Sequence, residues 1–238
     1  MPWRWEEQAE NWVRWARTPG LDAYDDYVDA FFELCPPPRG LTLEVGCGEG
    51  RVVRDLASLG YTTLGLDLSE TLVRHAARAD PGGTYIRADA RSLPFAEATI
   101  DLVVAFNSLM DIEDMPRAVR EIARVLRGDG RFCFSVTHPI ADAGAFATQT
   151  AEAPFVIEGS YLDERDFEAT LERDGLPMTF SGWAYPIQSY FVALEEAGFL
   201  VERLREPPVP ERAVERNPAE RRWQRVPNFL HVVAVLGR

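Results

Sequence analysis

Cysteine is scarce in this chain, and its spacing excludes two common uses of the residue. The sequence of 238 residues contains only Cys35, Cys47 and Cys133, an odd number without a C-x-x-C pair. Such a set indicates neither a disulfide framework nor a zinc site. The three histidines are scattered along the chain. We therefore expect no metal ion.

Positive charge is also scarce, and lysine is absent. All 25 basic residues are arginines, against 38 acidic residues, which gives a formal net charge of −13. The absence of lysine is typical of a genome of high GC content rather than of a binding function. Nonspecific binding to nucleic acid requires clustered cations that displace counterions. The charge balance therefore predicts that no nucleic acid is a partner.

Long apolar runs are missing as well. No run reaches the ~18 residues that a membrane span requires, and Met1 to Arg4 do not open a signal-like apolar segment. We expect no membrane contact and a cytoplasmic location. A hydrophobic content of 46% in 238 residues is enough for a sizeable core. The chain is therefore predicted to be a single domain, 1–238.

A glycine-rich turn follows the first predicted strand. Apolar residues from Leu43 onward lead into Gly46, Gly48 and Gly50, and a helical stretch comes next. Glycine allows a sharp turn and lets a ligand approach the main chain. The free N–H groups at the start of the helix then point towards that ligand. This stretch predicts a nucleotide pocket.

A carboxylate stands where a ribose-binding group is expected. Thr62 to Leu66 are predicted to form a second strand, and Asp67 follows it, 17 residues after Gly50. Nucleotide-binding α/β folds place an acidic residue at this point to accept the ribose hydroxyls. The glycine-rich turn and Asp67 together therefore predict a single nucleotide site.

The glycine spacing decides between nucleotide classes. Dinucleotide folds use G-x-G-x-x-G, but position 51 is Arg51 instead of glycine. The G-x-G-x-G form, with Glu44 two residues before its first glycine, resembles the class I methyltransferases that use S-adenosylmethionine, and within them the bacterial small-molecule enzymes with a type 11 domain.

Later segments resemble the same family, in the same order, over roughly residues 40 to 137. Ala88-Asp89-Ala90 resembles the acidic motif of its third strand, Ile100 to Ala105 resemble its fourth strand, and Arg124 to Arg131 resemble its turn into the fifth. The resemblance implies methyl transfer from S-adenosylmethionine to a small acceptor, with natural-product enzymes among the relatives.

The resemblance implies an α/β fold. We expect a Rossmann-like sheet of seven strands with helices on both faces, whose last strand runs in the opposite direction. The segments are an N-terminal helical cap (1–39) that acts as a lid, a cofactor-binding core (40–137), an insertion over the active site after the fifth strand (138–185), and the C-terminal part of the sheet (186–238).

Periodicity and end signals predict the individual elements. The predicted helices are Trp5 to Ala16, Asp22 to Leu34, Val52 to Leu59, Glu70 to Ala79, Met115 to Leu126 and Pro186 to Ala197, with Ser69 and Asp114 as N-caps. The predicted strands after the core are Phe155 to Ile157, Phe167 to Glu172, Met178 to Phe180, Phe199 to Leu204 and Phe229 to Leu236, with a turn at Asp174-Gly175. Trp3, Trp5, Trp12 and Trp15 crowd the first helix, either as packing or as part of the lid.

Each end of S-adenosylmethionine needs a different partner. Glu44 is expected to orient the ammonium group, although it also suits the start of the following helix. Asp67 is expected to accept both ribose hydroxyls, and Asp89 to reach the adenine edge or to cap a turn. Arg17 is expected to meet the carboxylate. The predicted cofactor-binding residues are Arg17, Glu44, Gly46, Cys47, Gly48, Gly50, Asp67, Leu68, Asp89, Ala90 and Asn107.

His138 is the candidate general base. It follows the predicted fifth strand, Phe132 to Val136, at the carboxyl edge where open α/β sheets bind ligands. A pKa of about 6.5 leaves imidazole able to accept a proton near neutrality. The alternative is a hydrogen-bonded turn residue, because Pro139 restricts the backbone beside it. His75 and His231 are expected to be structural.

The acceptor is expected to be small and partly apolar. The pocket residues predicted for it are Tyr24, Tyr27, Phe146, Tyr161, Trp183 and Tyr185. The aromatic residues of the insertion suit a satellite core or a homodimer contact equally well. Phe106-Asn107-Ser108-Leu109 lacks the Asn-Pro-Pro-Tyr signature of relatives that methylate amides or exocyclic amines. Phenol or alcohol oxygen, amine nitrogen and activated carbon remain as acceptors.

Two other functions stay open. A nicotinamide-dependent (NAD(P)) oxidoreductase conflicts with the glycine spacing. Nothing in the sequence argues against a noncatalytic protein that binds S-adenosylmethionine, although an aromatic insertion beside His138 favours a turnover pocket.

Overall fold

The structure is a computed structural model and describes residues 3–237, without the side chain of Trp3, so the packing predicted for that indole lies outside the described residues. The strands of this part are β1 (Leu41–Val45), β2 (Thr62–Asp67), β3 (Tyr85–Arg87), β4 (Ile100–Phe106), β5 (Leu126–Thr137), β6 (Gly144–Phe146), β7 (Phe155–Ile157), β8 (Arg165–Arg173), β9 (Leu176–Ala184), β10 (Phe199–Arg205) and β11 (Phe229–Leu236). The α-helices are α1 (Trp3–Ala16), α2 (Tyr24–Phe32), α3 (Arg51–Ser58), α4 (Glu70–Ala79), α5 (Met115–Val125), α6 (Pro139–Asp142), α7 (Ile187–Glu196) and α8 (Glu211–Arg216). Short 3₁₀ helices span Leu109–Asp111 and Pro218–Gln224.

Seven strands form one sheet in the order β10-β11-β5-β4-β1-β2-β3. Strand β11 runs antiparallel to β10 and β5, and the neighbouring pairs from β5 to β3 are parallel. Helices α3, α4 and α5 lie in the connections from β1 to β2, from β2 to β3 and from β4 to β5. The Rossmann-like sheet of seven strands with a reversed last strand is therefore confirmed.

Helices cover both faces of the sheet because its central strands are apolar on both sides. In β4, Leu102 and Val104 point to a cluster with residues of α2 and α3, while Val103 and Ala105 point to a cluster with residues of α5 and α7. Alternate residues of a strand face opposite sides. A strand that reads as a continuous apolar run is therefore buried on both faces.

The helix starts follow local signals. The Ser69 hydroxyl accepts the backbone N–H of Leu72 at 3.1 Å and caps α4. The Asp114 carboxylate accepts the N–H of Arg117 at 3.1 Å and caps α5. Both predicted N-caps are confirmed, since each side chain satisfies an N–H group that the helix leaves free.

The insertion contains two separate hairpins. Strands β6 and β7 form one, and β8 and β9 form the other, with the turn at Asp174 (φ 51°) and Gly175 (φ 76°) as predicted. The strand bounds at Phe155–Ile157 are also confirmed. Elements α6, β6, α8 and both 3₁₀ helices were not predicted, because three to seven residues are too few to show a period.

Helix α1 is attached to the core at α4. The Glu6 carboxylate accepts the hydroxyls of Ser69 and Thr71 at the start of α4, the second at 2.7 Å. Ala9 and Val13 pack against Leu72 beneath these bonds. The N-terminal segment therefore lies over the carboxyl edge of the sheet. Within residues 3–237, no helix is long and apolar enough to cross a membrane.

Candidate functional site

A cavity of about 490 Å³ opens at the carboxyl ends of β1, β2 and β4. Elements from every segment line it: Trp5 and Trp12 of α1, Tyr24 of α2, the glycine turn, and Phe167 and Phe180 of the second hairpin. This volume lies in the range of small-molecule and cofactor sites. The cavity therefore occupies the edge where open α/β sheets bind ligands.

The glycine turn is fixed by hydrogen bonds to β2. The N–H groups of Gly46 and Cys47 both donate to the Leu66 carbonyl, at 2.8 and 3.0 Å, and Gly48 N–H donates to Asp67 Oδ2 at 2.8 Å. Gly48 has φ 55°, and a Cβ there would lie 3.2 Å from Trp12 Nε1. The close approach of Trp12 and the positive φ explain why this position needs glycine.

Glu44 is buried beneath the turn with one oxygen unused. Its side chain is only 2% exposed, Val53 N–H of α3 donates to the carboxylate, and Oε2 has no hydrogen-bond partner among the described residues. Burial, followed by the charge of Asp67, raises the pKa of Glu44 well above its usual range. One oxygen thus serves the helix start, and the other is left for a bound donor.

Asp67 holds the two turns that flank it. Its Oδ2 accepts Gly48 N–H, and its Oδ1 accepts Ser69 N–H at 2.9 Å. Burial raises the pKa of Asp67, although these backbone hydrogen bonds act in the opposite direction. Each carboxylate oxygen accepts two hydrogen bonds. Leu68 N–H also donates to this carboxylate, so only part of its accepting capacity is left for a ligand hydroxyl.

The far end of the cavity is lined by Leu68, Asp89 and Ala90, the residues predicted to contact adenine. The Asp89 carboxylate binds Arg91 through three contacts of 2.8 to 3.1 Å, and it also accepts Arg91 N–H. The predicted turn-capping role is therefore present beside the cavity. Asn107 also lines the cavity, and its Oδ1 accepts the Ser135 hydroxyl at 2.8 Å.

Comparison with known proteins shows which protein family this part of the chain matches. Residues 43–134, which contain the glycine turn, Asp67 and Asp89, match the methyltransferase domain family. This part of the chain is a class I S-adenosylmethionine-dependent methyltransferase domain. The match agrees with the glycine spacing and gives no support to a nicotinamide-dependent oxidoreductase.

Two curated relatives match part of the chain. The "Probable S-adenosylmethionine-dependent methyltransferase" of Mycobacterium tuberculosis is 37% identical over 98 residues, 41% of this chain and 36% of that protein. The mitochondrial arginine hydroxylase NDUFAF5 of Homo sapiens is 34% identical over 139 residues, 53% of this chain and 39% of that protein. The chain thus covers less than half the length of either relative.

A solved structure extends the similarity to most of the chain. An S-adenosylmethionine-dependent methyltransferase from Mesorhizobium loti is 27% identical, with a TM-score of 0.73, and the alignment covers 88% of this chain and 97% of that one. The fold outside residues 43–134 is therefore also that of a methyltransferase.

Two predicted cofactor residues of the methyltransferase domain and its cap do not line the cavity. Arg17 donates to Glu49 Oε2 at 2.8 Å and to the His75 carbonyl at 3.3 Å, so its guanidinium holds α1 to the core. Gly50 has φ 86°, and a Cβ there would meet Tyr85 and Ala76, so it is needed for packing. The structure thus places both predicted cofactor contacts outside the cavity lining.

Arg51 is the cation that sequence reasoning missed. It lines the cavity, pairs with Asp22 at 2.6 Å, and stacks over the rings of Tyr24 (4.0 Å) and Trp12 (5.3 Å). The sequence did contain a signal for this role: Arg51 directly follows Gly50 and is the first residue of α3, next to the glycine turn.

His138 does not reach the cavity. Its Nδ1 accepts Ile140 N–H at 3.1 Å and caps α6, and its Nε2 lies 2.8 Å from Glu206 Oε1. Since Nδ1 accepts, Nε2 carries the hydrogen and donates it to Glu206. Burial lowers the pKa of His138, although Glu206 acts in the opposite direction. The structure thus places His138 outside the cavity lining and in the turn position that was the alternative to a general base.

We expect His138→Ala to reduce stability rather than turnover. The variant loses a helix cap and a hydrogen bond to a half-exposed carboxylate, a cost of about 1 to 2 kcal/mol in the free energy of unfolding. Chemical denaturation measures this loss, and S-adenosylhomocysteine affinity should stay within about 2-fold. His138→Asn is the matched control, because asparagine also caps helices. A stable His138→Ala protein with a 10²-fold loss of methyl transfer would contradict this assignment.

Of the residues predicted for the acceptor pocket, only Tyr24 lines the cavity. Tyr27 packs on Phe229 at 4.7 Å, Phe146 packs on Phe155 and Trp223, and Trp183 stacks on Tyr185. The Tyr161 hydroxyl accepts Ile187 N–H at 3.1 Å. The structure thus places these residues outside the cavity lining: Trp183 and Tyr185 pack on the main core, and Tyr27 belongs to a smaller cluster with Val209.

The second hairpin supplies the wall instead. Phe167, Ala169 and Leu171 alternate along β8 and face the cavity, with Phe180 and Ser181 on β9. The sequence shows this alternation, but not which face of the hairpin turns inward. Packing of Phe180 on Trp12 and Trp15, at 6.2 and 5.7 Å, decides that orientation.

Proposed function

We propose that this chain transfers a methyl group from S-adenosylmethionine to a small, partly apolar acceptor, and that residues 1–238 act as one domain in doing so. One observation carries the proposal: Glu44, with an unpaired buried oxygen, and Asp67, with part of its accepting capacity left, line the same cavity at adjacent strand ends. A carboxylate pair in this arrangement suits a ligand that has an ammonium group and a ribose diol.

The residues present fit the cofactor. Glu44 Oε2 needs a donor, which the methionine ammonium provides, and that bond would offset the cost of burying the carboxylate. Asp67 would accept the ribose hydroxyls. Arg51 would take the place expected for Arg17 and face the methionine carboxylate, since it is the arginine beside Glu44 that lines the cavity.

We propose that the remaining part of the cavity wall binds the adenine base of the cofactor. Leu68 is 36% exposed and would cover one face of the base, while Asp89 and Ala90 would meet its edge. Because Arg91 already occupies part of the Asp89 carboxylate, the base would use the free lone pairs. Asn107 and the turn amides of Gly46 and Gly48 would complete the methionine end.

The cofactor supplies an activated methyl group, so the protein needs mainly to align the acceptor and exclude water. Trp12 of α1 and Phe180 of β9 contact each other above the cavity, which joins the helical cap to the hairpin. Ala169 and Leu171 are exposed and mark the cavity mouth. We propose that these two segments form the lid.

Calorimetry with S-adenosylmethionine, S-adenosylhomocysteine and NAD tests the cofactor, and transfer of a labelled methyl group to a compound panel tests the reaction. We expect both adenosyl compounds to bind and NAD not to bind. Binding of NAD alone would overturn the proposal. Binding of S-adenosylmethionine with no methylated product across the panel would favour the noncatalytic alternative.

A further inference from the structure

Two carboxylates without partners face the acceptor end of the cavity. Asp111 ends the 3₁₀ helix after β4, and Asp142 ends α6 after β5. Both line the cavity, and neither carboxylate makes a hydrogen bond with any residue of the described range 3–237. The cavity wall beside them contains Met110, Phe167 and Phe180.

Uncharged polar groups accompany them. Ser181 is only 7% exposed and lines the cavity, and its hydroxyl has no hydrogen-bond partner in the described part of the chain. It precedes Gly182, where a Cβ would come within 2.7 Å of Asp111 Oδ1. The backbone of β9 at Gly182 therefore approaches the Asp111 carboxylate closely, and the unpaired Ser181 hydroxyl belongs to the residue before it.

The cation beside these carboxylates, Arg165, offsets their burial only in part, and it donates to the Asp142 backbone carbonyl rather than to either carboxylate. Burial raises the pKa of Asp142 to about 7, and Arg165 of β8 lowers it in part. Burial raises the pKa of Asp111 well above its usual range, and the charges of Asp67 and Asp142 raise it further. Tyr190 of α7 faces both carboxylates, and they help to raise its pKa. A ligand cation would offset this uncompensated burial.

We propose that Asp111 and Asp142 bind the protonated nitrogen of an apolar amine, which makes the acceptor an amine and the product an N-methyl amine. The inference rests on the proposed function and narrows its substrate class. A neutral alcohol would donate one hydrogen bond and leave the charge of the pair uncompensated, whereas an ammonium group donates to both carboxylates.

The same pair prepares the nitrogen for reaction. The ammonium transfers one proton to the Asp142 carboxylate, which leaves a lone pair on nitrogen. That pair forms the bond to the methyl carbon as the carbon–sulfur bond breaks, and the electrons of that bond stay on sulfur in S-adenosylhomocysteine. The N-methylated product keeps the positive charge, and Asp142 keeps the proton until product leaves.

Equilibrium binding tests the inference without turnover. Protein saturated with S-adenosylhomocysteine is titrated with matched arylalkyl amines and alcohols whose linkers have one, two or three carbons. We expect at least one amine to bind about 10-fold or more tightly than its alcohol. Asp111→Asn and Asp142→Asn should each reduce this preference, and the double variant should abolish it. Asp163→Asn, an exposed carboxylate outside the cavity, is the matched charge control and should retain it.

S-adenosylhomocysteine affinity, measured in every variant, shows that the fold and the cofactor site are intact. If the cofactor product binds but no amine exceeds its alcohol, or if the double variant keeps the amine preference, the inference is overturned. Failure of the unmodified chain to bind S-adenosylhomocysteine would instead contradict the proposed function, and this inference with it.

Discussion

Replacing Asp67 with alanine is expected to weaken S-adenosylhomocysteine binding by about 10²-fold or more. The variant would lose the charge-assisted hydrogen bonding that we propose between Asp67 and the ribose, in which each bond contributes roughly 1.5 to 3 kcal/mol. It also frees the N–H groups of Gly48 and Ser69, which the carboxylate now holds at 2.8 and 2.9 Å. The glycine turn should therefore lose both its ligand contact and its anchor.

Calorimetry measures the affinity, and circular dichroism shows whether the variant is folded. Asp80→Ala is the matched control: Asp80 follows α4, accepts the Tyr85 hydroxyl at 3.0 Å, and lies outside the cavity. Asp80→Ala also removes a carboxylate that accepts a hydrogen bond from an uncharged group, and it should leave the affinity for S-adenosylhomocysteine unchanged. A folded Asp67→Ala protein with normal affinity would remove Asp67 from the site.

His231 is expected to make the protein sensitive to acid. Its side chain is fully buried on β11, neither ring nitrogen has a partner among the described residues, and Phe31 lies 5.4 Å away. Burial lowers the pKa of His231 from 6.5 to about 4. The unfolded chain therefore binds the proton first as the pH falls, so stability is present above pH 6.5 and is lost progressively down to pH 4.

The complete loss is about 3.5 kcal/mol, because the two pKa values differ by about 2.5 and each pH unit corresponds to about 1.4 kcal/mol, and about 2.5 kcal/mol of it is expected between pH 7 and pH 4.5. Denaturation of the unmodified chain and of His231→Phe at pH 7 and pH 4.5 measures it as a difference. The raised pKa values of Glu44 and Asp111 act in the opposite direction and cancel in that comparison. Equal acid sensitivity of the two proteins would contradict the assignment.

The cofactor end of the site was predictable because its determinants are local. The glycine turn connects β1 and α3 directly, and Asp67 ends the next strand. Parallel neighbours β1 and β2 end at the same edge, so residues at their ends meet without any distant contact. The same locality explains the correct caps at Ser69 and Asp114, where a side chain bonds an N–H three residues ahead.

The acceptor end was not predictable because its residues meet through distant contacts. Glu206, 68 residues away in sequence, takes the Nε2 hydrogen of His138 and makes that residue structural. Asp111 and Asp142 come from two different strand ends and have no spacing signal. Tyr161 and Trp183 are aromatic residues of the insertion, and composition alone does not separate a pocket wall from a satellite core.

The sequence by itself determined the sheet, the glycine turn and the Asp67 carboxylate, because periodicity, positive-φ glycines and strand-end position are properties of neighbouring residues. Only the tertiary structure decided that Arg51 rather than Arg17 faces the cavity, and that Phe167 and Phe180 form its wall. The position of Arg17 depends on its bonds to Glu49 and the His75 carbonyl, and the aromatic wall depends on which face of the hairpin packs against Trp12 and Trp15. The orientation of the hairpin is set by contacts between residues more than 150 positions apart in the sequence. A local sequence pattern carries no information about such contacts.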